Sequence, residues 1–171
     1  MASELGVQTI QHTNGTDALT VGSDGALTTQ GVLYPKGLTY WPHCSVYKTG
    51  NQTAAGANEV VTWNNVTNNP NSDFNTSTNK YVAPIDGIYS LTINALTSSD
   101  SEEHNYAIFV NSTQYGRVRS PVLAGHISMT MVQSLVLTAG DEVYMTIVDT
   151  GSDLYGDADK WSVFSIVYIG G

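Results

Sequence analysis

The sequence predicts an all-β fold, and three observations carry that prediction. Charged residues make up only 12% of the 171 residues, while Thr (20), Ser (16), Asn (13) and Gly (16) fill the difference. β-Branched and aromatic side chains pack well on a pleated surface, and Gly and Asn serve turns. Long stretches of the C-terminal half alternate with a period of two, and none has a convincing 3.6-residue period. Short strands punctuated by turn signals point to a sandwich or a barrel. The length suits one domain, or one domain with a short appendage.

The first zone runs from Met1 to about Tyr40. It carries two short apolar patches, Val7–Ile10 and Leu19–Val21, separated by Asn14-Gly15 and followed by Gly22-Ser23-Asp24-Gly25 and Gly31. So few apolar side chains cannot offset the entropy of ordering the segment. It reads as short β-arcs or an extended arm that needs a partner surface. In the second zone, Trp41 to about Ala83, Trp41–Tyr47 and Glu59–Val66 read as strands. Loops rich in Asn, Gly and Ala, Thr49–Asn58 and Thr67–Asn79, separate them.

The third zone, Pro84 to Gly171, has the clearest pattern. Gly87–Leu96 alternates, with Tyr89, Leu91, Ile93 and Ala95 on one face. Tyr106–Asn111 is a further strand. Ile127–Leu137 places Ile127, Met129, Met131, Leu135 and Leu137 on one face and Ser128, Thr130 and Ser134 mainly on the other. Ala139-Gly140-Asp141 is a turn, and Glu142–Asp149 and Ser162–Ile169 close the series.

These last two strands are apolar on both faces. In Ser162–Ile169, Phe164, Ile166 and Tyr168 are opposed by Val163, Val167 and Ile169; in Val143–Val148, Val143, Met145 and Ile147 are opposed by Tyr144 and Val148. A strand with one solvated face should alternate apolar with polar. The second face therefore needs cover, most economically from another copy of the chain.

The run Asp73-Phe74-Asn75, Asn79-Lys80-Tyr81, Ala83-Pro84 and Asp86-Gly87-Ile88-Tyr89 resembles the signature of the globular head of complement component 1, q subcomponent. That head is one of the tumour-necrosis-factor-like jelly rolls. Phe74, Tyr81, Pro84, Gly87 and Tyr89 fill the places of its aromatic, aromatic, Ala/Cys-Pro and Gly-X-Tyr pattern. Phe109-Val110-Asn111, the run Leu135-Val136-Leu137-Thr138-Ala139-Gly140-Asp141-Glu142-Val143 and Ser162-Val163-Phe164-Ser165 resemble later motifs, in the same order. The resemblance covers about Trp41 to Gly171. It implies a ten-strand jelly-roll sandwich assembled as a compact homotrimer, with the final strand near the threefold axis. Ile166 stands where many members carry Gly, and no collagen-like Gly-X-Y stalk precedes the head.

Val7-Gln8-Thr9-Ile10-Gln11, Asn14-Gly15-Thr16, Ala18-Leu19-Thr20-Val21 and Gly25-Ala26-Leu27-Thr28-Thr29 resemble the start of phage tail-fibre and virion-appendage proteins. The two resemblances together imply a division at residues 1–40, an N-terminal anchoring arm or β-arc segment, and 41–171, the jelly-roll head.

Charge narrows the partners. A net charge of -9 argues against nucleic acid and against anionic membrane surfaces. No stretch approaches the roughly 20 apolar residues of a spanning helix. Met1–Gln11 lacks the basic start and apolar run of a signal peptide. Cys44, the single cysteine, allows no intrachain disulfide and reads as a buried structural residue.

No residue set is assigned a catalytic, cofactor or metal role. Asp149, Asp153, Asp157 and Asp159 form an acidic loop that offers oxygens to calcium, although its spacing is not that of an EF-hand loop, and Asp100, Glu102 and Glu103 form a second such cluster; a solvated acidic surface is the expected reading of both. His12, His43, His104 and His126 lack zinc spacing, and no Gly-X-Ser-X-Gly elbow is present. Arg117 and Arg119 share a strand face and suit ordinary ion pairs.

The expected protein is a non-enzymatic phage structural protein on the virion surface, made in the host cytoplasm. It is a homotrimeric short fibre or knob, held to another virion protein by its N-terminal arm. Its head would meet a host-surface glycan or protein. The alternatives are a capsid decoration protein on a threefold or quasi-threefold axis and, less well supported by the sequence, a secreted cytokine-like ligand.

Overall fold

The structure is a computed structural model, and it describes residues 9–11, 17–21, 23, 27–29, 40–97, 103–121 and 125–171. The chain divides into two units, Met1–Trp41 and Pro42–Gly171.

In the first unit β1 (Thr9–Gln11), β2 (Asp17–Val21) and β3 (Leu27–Thr29) form a three-stranded antiparallel sheet in sequence order. Ile10 stands opposite Leu19, and Val21 opposite Leu27. The strands pair with one another, which satisfies their backbone groups locally.

The second unit consists of two antiparallel sheets. Its strands are β4 (His43–Tyr47), β5 (Gln52–Thr53), β6 (Glu59–Val60), β7 (Asn65–Asn68), β8 (Phe74–Asn75), β9 (Lys80–Val82) and β10 (Gly87–Thr97). They continue with β11 (Asn105–Val110), β12 (Thr113–Arg119), β13 (Ser128–Leu137), β14 (Glu142–Ile147), β15 (Asp153–Tyr155) and β16 (Val163–Gly170). The first sheet runs β5-β15-β10-β16-β4-β7, with β13 on the other edge of β10. The second runs β12-β11-β14-β9-β8, with β6 also on β14.

This unit has thirteen described strands rather than the expected ten. The difference arises partly where Glu59–Val66 was expected to be one strand. It is two: β6 pairs with β14 in the second sheet, and β7 pairs with β4 in the first. Between them Val61 and Trp63 are buried as the chain crosses from one sheet to the other. Burial of two large apolar side chains outweighs continued strand pairing along one edge. The two-residue strands β5 and β8 add the rest of the excess.

The space between the sheets is filled by aromatic residues. Phe164 sits between Trp63 and Phe74, with ring centroids 6.0 and 5.9 Å away. Tyr89 lies edge-on to Tyr81 at 6.0 Å and to Tyr168 at 5.3 Å. Tilted and edge-to-face geometries suit the ring quadrupoles. Full burial of Phe164 alone stabilises the fold by about 1.5–3 kcal/mol. The Tyr89 hydroxyl donates to the Ile85 carbonyl at 2.8 Å, so the buried phenol is satisfied.

The turn motifs converge at one corner. Gly140, at φ 94, donates its N–H to the Ala83 carbonyl at 2.8 Å, and Ala83 N–H returns a bond to the Asp141 carbonyl at 2.9 Å. Asp141 Oδ2 accepts from Thr138 N–H at 2.8 Å. Only a residue tolerant of positive φ fits the place of Gly140 without strain.

Candidate functional site

The outer face of the first sheet is the candidate site. Its strands β13, β10, β16 and β4, adjacent in that order, contain no Lys, Arg, Asp or Glu. Solvated sheet faces usually carry charge, and charge is depleted at the cores of interfaces. Strand alternation places Ile88 on this face, together with Val132 and Val136 of β13 and Val167 and Ile169 of β16. All five are exposed, Val136 at 78% and Val132 at 70%. Register gathers them: Ile88 stands opposite Val136, Thr92 opposite Val132, and Ser90 opposite Val167. Ser165 Oγ and Ser45 Oγ, 2.9 Å apart, add a self-satisfied polar pair to the same face.

The expected two-faced character holds for β16. It is corrected for β14. Tyr144 is covered from within the chain: Phe109 stacks on it at 5.6 Å and 11°, and Lys80 Nζ lies 4.7 Å from its ring centroid. Val148 is buried. Neighbouring strands of the same sheet supply the cover that the sequence pattern left open.

The far end of the first sheet carries a cavity. The Tyr168 N–H donates to the Pro42 carbonyl at 2.9 Å, so this unit begins beside the Ile88 end. Eight residues along β10, about 27 Å away, Leu96 forms part of a cavity of about 310 Å³ with His126, Tyr155 and Trp161. Trp161 is 49% exposed. The Asn94 side chain fixes this end: Nδ2 donates to the Trp161 carbonyl at 2.6 Å, and Oδ1 accepts from Ser128 Oγ and Thr130 Oγ1, each at 2.9 Å. The buried Ser162 hydroxyl donates to the Tyr155 carbonyl at 2.6 Å and accepts from Leu96 N–H at 3.0 Å. His126 Nδ1 lies 2.6 Å from the Thr97 carbonyl, to which it donates, and its ring meets Tyr155 edge-on at 4.7 Å.

The acidic loop does not gather around a point. Asp149 accepts from the Asn105 amide, beside Glu103. Asp153 N–H donates to His104 Nδ1 at 3.2 Å. Asp157 Oδ2 accepts from the Tyr155 hydroxyl at 3.2 Å, and Asp157 Oδ1 from Asp159 N–H at 2.6 Å. The bond to Asp157, its charge and that of Asp159 hold the Tyr155 phenol above its ordinary pKa. Among the described residues no three His, Cys, Asp or Glu side chains are placed to hold a metal ion. Asp100, Glu102 and His12 lie outside the described residues.

Arg119 pairs with Glu103, which draws the carboxyl below and the guanidinium above their ordinary pKa values. Arg117, also exposed, stands two residues away on β12. His43 Nε2 is 2.9 Å from Asn68 Nδ2. Cys44 is buried, and burial pushes its thiol far above the ordinary value.

Two antiparallel sheets enclosing an aromatic core, with the N- and C-terminal strands β4 and β16 side by side, define a jelly roll of the C1q and tumour-necrosis-factor type. The chain belongs to the C1q domain family, whose pattern it matches over residues 45–166. The globular domain of zebrafish complement 1qA protein is similar in fold, with a TM-score of 0.62 and 17% identity over 75% of this chain and 97% of that one. Eiger TNF from S. frugiperda is also similar, with a TM-score of 0.61 and 10% identity over 76% of this chain and 93% of that one. No curated protein sequence matches.

Proposed function

We propose that the protein is a non-enzymatic, homotrimeric surface appendage of a bacteriophage particle, a short knob whose C1q-type head projects from an anchoring N-terminal segment. One observation carries the assembly. The outer face of the first sheet is free of Lys, Arg, Asp and Glu on β13, β10, β16 and β4 and carries five exposed aliphatic side chains. Contiguous exposed apolar surface of this kind marks an interaction face. A second copy of the same neutral face, or of its edge, is the occupant with matching chemistry. The virion setting is supported by the first thirty or so residues, which resemble the start of phage appendage proteins.

Light scattering on the full chain tests the assembly: a trimer is expected, and a monomer at micromolar concentration overturns it. Electron microscopy of intact particles tests the setting. Density at the tail is expected, density on capsid faces assigns a decoration role instead, and absence from particles overturns the virion reading. Deletion of residues 1–33 is expected to leave a folded head that no longer joins particles.

A further inference from the structure

We propose that the cavity lined by Leu96, His126, Tyr155 and Trp161 is a saccharide-binding site for a neutral pyranose, with the sugar's C–H face laid on the Trp161 indole. This names the partner of the projecting head and takes its biological setting from that reading.

Four features converge on this ligand. The first is an exposed platform. A tryptophan 49% open to solvent beside a concave apolar surface is an anchor for a flat, amphipathic ligand. A pyranose has that shape, with C–H groups on a face and hydroxyls around its edge. The second is preorganisation. Asn94 pins the Trp161 backbone, and the buried Ser162 hydroxyl ties Tyr155 to Leu96, so the walls are set before a ligand arrives. The third is the rim. Ser128 is opposite Leu96 and Thr130 opposite Asn94, which puts two exposed hydroxyls on the same face as the cavity floor. The fourth is size: a cavity of about 310 Å³, open to solvent, suits a small ligand of one or two sugar rings.

Charge decides which sugars. Asp157 and Asp159 lie on the loop that joins Tyr155 to Trp161, and Asp157 accepts from the Tyr155 hydroxyl. Their negative charge beside Tyr155 disfavours sialic acids, uronic acids and phosphosugars. The loop's own cation, Lys160, lies over the Tyr47 ring at 4.9 Å. His126 is also exposed, with its ring edge-on to Tyr155, so an organic cation is the competing occupant and choline is the probe that separates the two.

Leu96 lies about 27 Å along β10 from Ile88, which stands opposite Val136, and about 13 Å from Thr92, which stands opposite Val132. Ile88 and Val136 therefore stand at the other end of the face from the cavity.

Ligand-observed saturation-transfer NMR on the full chain tests the inference. The probes are methyl glycosides of the common neutral hexoses and N-acetylhexosamines, with 3′-sialyllactose and choline chloride alongside. Ring-proton saturation is expected for at least one neutral glycoside, and neither the sialylated probe nor choline should respond as strongly. Trp161→Ala should weaken binding about tenfold or more, Trp161→Phe should retain part of it, and Trp41→Ala should leave it unchanged. Ser128→Arg, at an exposed rim position, should block the cavity if Trp161→Ala proves unfolded in a thermal melt. Absence of any neutral-sugar response, equal response in Trp161→Ala or Ser128→Arg, or a stronger response to choline overturns the proposal. Binding is read in solution and assembly by light scattering. A monomer that binds sugar leaves this inference standing, and a trimer that does not leaves the assembly standing.

Discussion

Gly87 and Tyr168 meet face to backbone where β10 begins and β16 ends. Gly87 has a φ of +149, and a Cβ there would collide with the Tyr168 ring and lie 2.8 Å from the Gly170 carbonyl oxygen. The absent side chain lets Tyr168 close the core over Tyr89, 5.3 Å away. The Gly-X-Tyr pattern is thus a packing requirement as well as a conformational one.

Gly87→Ala is therefore expected to destabilise the head by about 2–4 kcal/mol, through backbone strain and displacement of a core ring. Gly140 is the control. Its φ is +94 but open space surrounds the site of a Cβ, so Gly140→Ala should lose about 1–2 kcal/mol from strain alone. Urea denaturation of the two variants checks the order, and equal losses would refute the ring contact as the cause.

Val136 is 78% exposed in the single chain. Val136→Asp should leave the chain's melting curve almost unchanged if no copy covers this face, because exposed substitutions usually shift stability by no more than about 0.5 kcal/mol. With a covering copy it buries an unpaired carboxylate and should dissociate the assembly. Sedimentation of the variant and the parent at one concentration distinguishes these outcomes.

Asn111 clasps the Gly140-Asp141 turn. Its Nδ2 donates to Asp141 Oδ1 at 2.8 Å and its Oδ1 accepts from Glu142 N–H at 3.0 Å. Asn111 also has a φ of 55, a conformation Asn tolerates better than most residues. Asn111→Ala should cost about 1–2 kcal/mol, while Asn111→Gly should lose the bonds and relieve the strain, so it should be the less damaging of the two. Chemical denaturation of both checks the prediction.

Alkaline pH should unfold the head from within. Burial raises the Tyr89 phenol to about 12 from an ordinary 10.0, and raises the Cys44 thiol above its ordinary 9.0. The native state then holds protons that the unfolded chain has released. Stability is intact below about pH 9 and falls as pH rises through 9 and then from 10 towards 12. Tyr89→Phe should flatten the upper part of that decline, at the loss of the hydrogen bond to Ile85. Melting temperature against pH for the two proteins gives the comparison. A thiol reagent at pH 8 should label Cys44 only after denaturant is added.

The strands most legible in the sequence are those whose pattern reflects a single environment. Gly87–Leu96, Ile127–Leu137 and Ser162–Ile169 are found as β10, β13 and β16 to within a residue or so at each end. Period-two burial against one core dictates them, and the family motifs sit at their ends. Val132 and Val136 were the missed signal. They interrupt an otherwise hydroxylated face, and two exposed valines only acquire meaning once Ile88, Val167 and Ile169 are seen beside them. The single Glu59–Val66 strand failed because core crossings are not written in local periodicity.

By itself the sequence determined the β class, the alternating core faces, the turn glycines and the excess of apolar surface on β16. These follow from side-chain chemistry acting over a few residues. Tertiary structure alone decided which apolar faces found cover within the chain. Phe109 and Lys80 cover Tyr144, while nothing among the described residues comparably buries Val136. It also decided the cavity, because Leu96, His126, Tyr155 and Trp161 lie up to 65 positions apart and meet only through the pairing of β10 with β13, β15 and β16. Strand register is a non-local quantity, and the juxtapositions it creates exist only once the sheets have closed.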